Sequence, residues 1–188
     1  MGEFMNEEYF DILDEFGNKT GLIKSRTLVH KDGDWHRAEH IWIVNQKGEI
    51  LLQRRCATKD SDPNMLDISC AGHLTSGDKP IEGALRELKE ELNLEVNPND
   101  LKFITTLKRS PKHNNDFVDN EFDDMYLLHI DKDIEDLNYQ KEEISEILFV
   151  PYQKFKEMVS NKQSDLVIYP DEYKILFEIL DKEIRKGD

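Results

Sequence analysis

The sequence predicts an α+β fold or an α/β sandwich. Short apolar segments with strand chemistry recur along the chain, about three helical segments lie between and after them, and turn-forming clusters separate the two. Residues 9–14 read as a first strand, and Glu15-Phe16-Gly17-Asn18 carries turn chemistry. Residues 38–45 (AEHIWIVN) and 49–54 (EILLQR) read as two strands, and Gln46-Lys47-Gly48 suits a hairpin turn between them. Residues 66–70 form another short strand. Pro80 opens a helix over 80–92, at a position where its missing N–H does no harm. Strands follow over 101–108, 122–129 and 147–150, separated at 110–120 by a polar, irregular loop of the kind that often borders a site. Pro151 opens a short helix over 152–159. A last amphipathic helix over 171–186 places Tyr173, Leu176, Phe177 and Leu180 on one face.

The chain has 188 residues, which suits one domain: an N-terminal strand extension over 1–33, a core over 34–168 and a C-terminal helix over 169–188. No run of about 18 apolar residues predicts a membrane span, and the N-terminus lacks the basic and apolar regions of a secretory leader. Cys56 and Cys70 form no disulfide framework or metal-finger spacing and fit a reducing cytosol, so a cytoplasmic protein is expected. A formal net charge of −15 argues against nucleic acid as a partner, since a phosphate backbone needs a basic surface. An acidic protein that handles polyphosphates needs divalent cations and a few well-placed Arg and Lys.

The chemistry concentrates in residues 72–94, GHLTSGDKPIEGALRELKEELNL. Glu87, Glu90 and Glu91 stand at i, i+3 and i+4 and share a helix face, while Leu85, Leu88 and Leu92 share another. From the three glutamates alone, a solvated acidic face remains the ordinary reading. A divalent cation would convert their mutual repulsion into coordination, and carboxylate oxygens with retained waters are what Mg²⁺ prefers.

The wider spacing resembles the Nudix signature: Gly, five residues, Glu, seven residues, then Arg-Glu-aliphatic-x-Glu-Glu-x-Gly-aliphatic. Gly72, Arg86, Glu87, Leu88, Glu90, Glu91 and Leu94 fall at their positions, with Asp78 where Glu is usual and Asn93 where Gly is usual. Asn tolerates the left-handed conformation at a helix end. The resemblance implies an αβα sandwich with a mixed central sheet, and Mg²⁺ or Mn²⁺ held by Gly72, Glu87, Glu90 and Glu91. It implies cleavage of a small-molecule diphosphate by metal-activated water, with Arg86 orienting a carboxylate and Glu90 or Glu143 as the base. It also implies a homodimer.

A second resemblance reaches beyond the signature. DWHRAEHIWIVN, LLQRR, DISCAGH and DNEF are similar to the branch containing the metal-dependent isopentenyl-diphosphate isomerases. It implies diphosphate contacts from Arg55 and Lys59, with Ser25 at a third position that is basic in that branch. It also implies a second metal at His36, His73 and Glu121, with His30, displaced by one residue, and Asp119 as further candidates; a hydrogen-bonded polar cluster that binds no metal is the favoured reading of these groups, because His30 is off register and the metal's partner cysteine is missing. The proton-transfer cysteine of those enzymes falls at Ala71 here, and Cys70 is one residue earlier, on the opposite face of an extended segment. An intact glutamate helix without that cysteine reads as a hydrolase on an isomerase-like frame. The alternatives are an isopentenyl-diphosphate isomerase and a silent ligand-binding module. Of the remaining residues, Trp42 reads as core, His113 as a solvated surface side chain, and His40 and His129 as packing residues in strands.

Overall fold

Strand β3 (His36–Asn45) pairs along its whole length with β8 (Glu121–Ile130), in parallel, from His36↔Glu121 to Asn45↔Ile130. Outside this pair lies β7 (Leu101–Arg109), antiparallel to β8. On the other side β4 (Glu49–Arg55) joins β3 in a hairpin, and β5 (Leu66–Asp67) and β9 (Ile144–Pro151) pair with β4. The strand order is β5-β4-β3-β8-β7, with β6 (Cys70–His73) added on β3 and β9 on β4. The computed structural model describes residues 7–111, 113 and 117–187. The reading of residues 1–6 as lacking a leader, and positions 112 and 114–116 of the polar loop, lie outside them.

Both faces of the sheet are covered, and alternation along each strand sends its side chains to two separate cores. Ile41 and Ile43 of β3, with Tyr126 and Leu128 of β8, meet Ala84, Leu88 and Leu92 of α2 (Pro80–Leu92). Trp42, Val44, Met125 and Leu127 meet the opposite layer, Tyr152 and Phe155 of α3 (Tyr152–Ser160) and Tyr173 and Leu176 of α4 (Pro170–Gly187). This explains the unbroken apolar run over 41–44: a strand covered on both faces has no polar side to show. The expected sandwich with a mixed central sheet is therefore the observed one. Helix α2 begins at Pro80 and ends at Asn93, which adopts φ 52°, so the asparagine does the work of the usual glycine. Among the described residues no helix is long and apolar enough to cross a membrane.

Two regions depart from expectation. Residues 66–70 are not one strand but two short ones on different partners. The cause is a fork: β3 and β4 pair only at Val44↔Ile50, then diverge. Ser69 fills the gap, accepting from the Ile43 amide (2.8 Å) and donating to the Leu51 carbonyl (2.6 Å), so neither buried backbone group is left unpaired. The second region is residues 19–32, where β2 (Lys19–Ser25) pairs with β1 (Tyr9–Leu13) and leads into α1 (Arg26–Asp32). Leu22 and Ile23 are exposed, so β2 lacks the in-out alternation that marks a strand, and seven residues are too few for a helical period to show.

The C-terminal helix is fastened to the sheet by a buried polar link. Glu172 accepts from Trp42 Nε1 (2.9 Å) and pairs with His40 Nδ1 (2.6 Å). Removing one partner of such a pair typically costs roughly 3–5 kcal/mol, because the other is left charged in the core. Glu172→Leu is expected to lower stability by about 3 kcal/mol in urea denaturation.

Candidate functional site

A cavity of about 260 Å³ opens beside the fork, lined by Ala38 and His40 of β3, Arg55 of β4, Asp67 of β5, Ala71 to His73 of β6 and Glu87, Glu90 and Glu91 of α2. Helix α2 presses so close to β6 that a Cβ on residue 72 would lie 2.0 Å from Glu87 Cδ. Glycine there lets the Glu87 carboxyl lie against the strand backbone. The three glutamates are not equivalent. Glu87 and Glu91 are buried, whereas the Glu90 side chain is 55% exposed. Arg86 ties them together: Nη1 donates to Glu90 Oε2 (2.9 Å) and lies 2.7 Å from Glu87 Oε1, and Nη2 donates to the His73 carbonyl (3.0 Å). Asp78, on its shorter arm, reaches within 3.8 Å of the same guanidinium. Glu91 accepts from the Ala71 amide at 3.3 Å.

Burial pushes the Glu87 carboxyl up to about 8 and the Glu91 carboxyl up to about 7, because two neighbouring anions have lost their water. Buried carboxylates side by side next to a strand carbonyl are a donor set that fits a hard divalent cation. Glu39 of β3 is also buried, neither of its oxygens has a partner among the described residues, and desolvation raises its carboxyl well above the usual range.

A second cluster lies beside the first. His30, His36, His73 and Asp119 bring one ligand atom each within 4.8 Å of one another. His36 Nδ1 is 3.1 Å from the Asp34 carbonyl, which makes Nδ1 the protonated nitrogen and turns a bare Nε2 toward Asp119. His30 Nε2, His36 Nε2 and Asp119 Oδ1 are buried without a well-aligned hydrogen bond among the described residues, although His30 and Asp119 approach to 3.1 Å. Burial holds the His36 imidazole down at about 4 and His73 well below its ordinary value, so both are neutral and able to ligate. Burial works to raise the Asp119 carboxyl, but the contact with His30 outweighs it and holds it low. The stacking of Phe10 on His36 and His73, and of Phe117 on His30, fixes the rings.

The sequence pattern of the NUDIX domain matches residues 34–170. The chain belongs to the NUDIX domain family. Nudix hydrolase 3 of Arabidopsis thaliana is 42% identical over 94% of this chain, which spans only 24% of that protein's length. An uncharacterized Nudix hydrolase of Clostridium acetobutylicum is 37% identical over 84% of this chain and 77% of its own. More distantly, an isopentenyl-diphosphate Delta-isomerase of Serratia proteamaculans is 31% identical over 64% of this chain and 65% of that protein. In fold, the chain resembles the crystal structure of DR0079 from Deinococcus radiodurans, with a TM-score of 0.65 at 22% identity, covering 93% and 98% of the two chains.

Within this Nudix domain most of the residues singled out in the sequence line one cavity, with His30 and His36 buried beside it and some changes of rank. Arg55, Lys59, Glu143, His73, Asp119 and Glu121 line it. Lys59 is ion-paired with Glu143, which lowers the Glu143 carboxyl against the effect of burial. Glu121 is less available than expected: Oε1 lies 3.4 Å from His73 Nε2, but Oε2 is held by Arg109 at 2.6 Å. His30 and Asp119, the weaker candidates, stand inside the histidine cluster instead. His30 belongs to helix α1, where a one-residue offset turns a side chain by about 100°, rather than to the far face as in a strand. His113 is not a solvated surface residue; it lines the cavity against Phe117. Cys70 is buried in the α2 core and Ala71 lines the cavity, as the strand alternation required.

Arg109, Asp67, Tyr169, Asp123 and Glu39 were not singled out. Signals exist for three of them: charged residues inside otherwise apolar strands (Glu39 in AEHIWIVN, Asp123 in EFDDMYLLHI), which must be buried and therefore need a partner or a ligand, and an arginine ending β7. Arg109 bonds both Glu121 (2.6 Å) and Asp123 (2.9 Å).

The raised carboxyls have a consequence for stability. Unfolded, a glutamate titrates near 4.5; folded, Glu87 and Glu91 keep protons up to about 8 and about 7. Between pH 6.5 and 8 the folded state therefore binds more protons, and stability falls as pH rises. His40, held up near 10 by Asp123 and Glu172 despite its burial, contributes with the same sign; His36 and His73, neutral when folded but about half protonated at pH 6.5 when unfolded, oppose it at the lower end of this window and are outnumbered by the raised groups. The metal-free protein is expected to melt at a lower temperature at pH 8 than at pH 6.5. Millimolar Mg²⁺ or Mn²⁺ should raise the melting temperature more at pH 8, because protons no longer compete for the carboxylates.

Proposed function

We propose that this chain is a Mg²⁺- or Mn²⁺-dependent hydrolase that cleaves the P–O–P linkage of a small nucleoside or organic diphosphate. The observation that carries this reading is the pair of buried carboxylates, Glu87 and Glu91, facing a cavity beside Gly72. Glu87, Glu91 and the Gly72 carbonyl would hold the ion, with Glu90 completing the set from its more exposed position. When bound, the ion neutralises diphosphate charge and lowers the pKa of water. Arg86 keeps Glu87 and Glu90 in register through its two terminal nitrogens. Arg55 and Lys59 bind the diphosphate. Water adds to phosphorus as the bridging P–O bond breaks, and Glu90, or Glu143 on the cavity rim, accepts the proton. The net charge of −15 supports a small-molecule substrate over nucleic acid. The two cores share the strands β3, β4 and β8, which supports reading core and last helix as one domain; the extension has its own small cluster of Phe10, Ile12 and Val29 and joins β3 through Leu13 and Trp35 and through the stacking of Phe10 on His36. The proposal includes the homodimer and the cytoplasmic location that the sequence suggested.

Glu90→Gln and Glu91→Gln each keep shape and remove charge. Each is expected to lose at least about a hundredfold in rate, the scale of losing one catalytic electrostatic contact. A phosphate-release assay over a panel of diphosphates, with and without EDTA, checks this; full activity in the double variant or in EDTA would sink the reading.

A second metal at His30, His36, His73 and Asp119 is supported by their three unpartnered buried atoms. Two or more imidazoles with a carboxylate suit Zn²⁺ or Mn²⁺ better than Mg²⁺. Elemental analysis of protein purified without chelator should find a bound transition metal, lost in His36→Ala. The isomerase alternative is disfavoured by Ala71 in the cavity wall. Incubation with isopentenyl diphosphate and Mg²⁺ is expected to give no dimethylallyl diphosphate; robust conversion abolished by Cys70→Ala would reverse that.

A further inference from the structure

Arg55, read above as a diphosphate contact, is held in one orientation by three of its five N–H groups. Nε donates to the Ser61 carbonyl (3.0 Å), Nη2 to Ser61 Oγ (3.1 Å) and Nη1 to Asp67 Oδ2 (2.8 Å). One N–H on each terminal nitrogen remains to engage phosphate oxygens. The arrangement depends on Asp67, which is itself fixed from the other side. Its Oδ1 accepts from the Ile68 amide (2.8 Å) and from the Tyr169 hydroxyl (2.8 Å). Tyr169 also lies under the Arg109 guanidinium, 4.8 Å from its ring centroid. Its own position is set by the turn into α4, anchored one helical turn later by Tyr173 N–H to the Tyr169 carbonyl (2.9 Å) and by Glu172 on His40 and Trp42.

We propose that Tyr169 is a positioning residue of the active site: through Asp67 it aims the Arg55 guanidinium at the diphosphate. A flexible arginine must give up rotamer freedom on binding, whereas one clamped by Asp67 and Ser61 has lost it already. The Tyr169 hydroxyl matters because it determines which way the Asp67 carboxylate faces. The stacked ring is a separate contribution, retained when only the hydroxyl is removed. The inference rests on the reading of Arg55 as a diphosphate contact, and the test separates the two.

The probe is methylenediphosphonate, a non-hydrolysable diphosphate, titrated calorimetrically in the presence of Mg²⁺. Arg55→Lys keeps the charge and loses the fork; Tyr169→Phe keeps the ring and loses the hydroxyl. Each is expected to weaken binding about tenfold, and the double variant to be no weaker than Arg55→Lys, since coupled residues do not add. Asp67→Asn, which cuts the same link nearer the arginine, should match Tyr169→Phe and serves if that variant does not fold. Mn²⁺ binding without the diphosphonate should be unchanged in Tyr169→Phe, which general loosening would not allow. Wild-type affinity in both Tyr169→Phe and Asp67→Asn, with Arg55→Lys weakened, overturns the inference alone. Additive losses overturn it too. Wild-type affinity in Arg55→Lys overturns it together with the diphosphate reading of Arg55.

Discussion

Glu87 occupies space that a Cβ on residue 72 would fill, and the placement of the other groups on α2 follows from that contact. Because the helix can lie against β6, Glu91, one turn further, also reaches the cavity, and Arg86 can bond a carbonyl of the strand while holding Glu90. The close approach has an electrostatic cost. Two carboxylates are removed from water within one helical turn, and both are pushed toward neutrality. A hydrophobic face of Ala84, Leu88 and Leu92 on the same helix keeps them there. Packing free energy from one side of α2 thus holds charge under strain on the other.

The rest of the cavity is organised by pairing. Arg109 spans Glu121 and Asp123, Arg55 is joined to Asp67, Lys59 to Glu143, and His40 sits between Asp123 and Glu172. In a chain of net charge −15 these four cations lie where acidic groups are buried. A buried charge without a partner is costly, so cations and anions settle as a connected set. Buried atoms left over among the described residues belong to Glu39, His30, His36 and Asp119, and to one atom each of the otherwise paired Arg86 and Asp123.

Much of this was legible in the sequence for identifiable reasons. Helix α2 announced itself through Pro80, its leucine face and Asn93, which are local signals. The outward-turned Ala71 was readable because a strand alternates strictly. The histidine cluster was less so: His30 comes from a seven-residue helix with no period to detect, and its distance from His36 and His73 depends on how the β1–β2 hairpin folds over the sheet. Tyr169 and Asp67 were invisible as a pair because they are 102 positions apart and meet only through the packing of the last helix. The reading of 66–70 as one strand failed because a single hydroxyl, Ser69, substitutes for the ladder that β3 and β4 give up.

That hydroxyl also stands where β3 and β4 part, the fork beside which the cavity opens. A sheet that zips fully closed has no mouth between adjacent strands; here the zipper stops after Val44↔Ile50, and the residues flanking the opening supply Ala38, His40, Arg55 and Asp67 to the lining. Moving the stop by one residue pair would change the depth of the opening by about 3.4 Å, the rise of one strand residue. Serine, small and able both to donate and to accept, works as a doorstop. Because β6 follows Ser69 directly and carries Gly72, resizing the pocket in this way would also shift the seat of the glutamate helix.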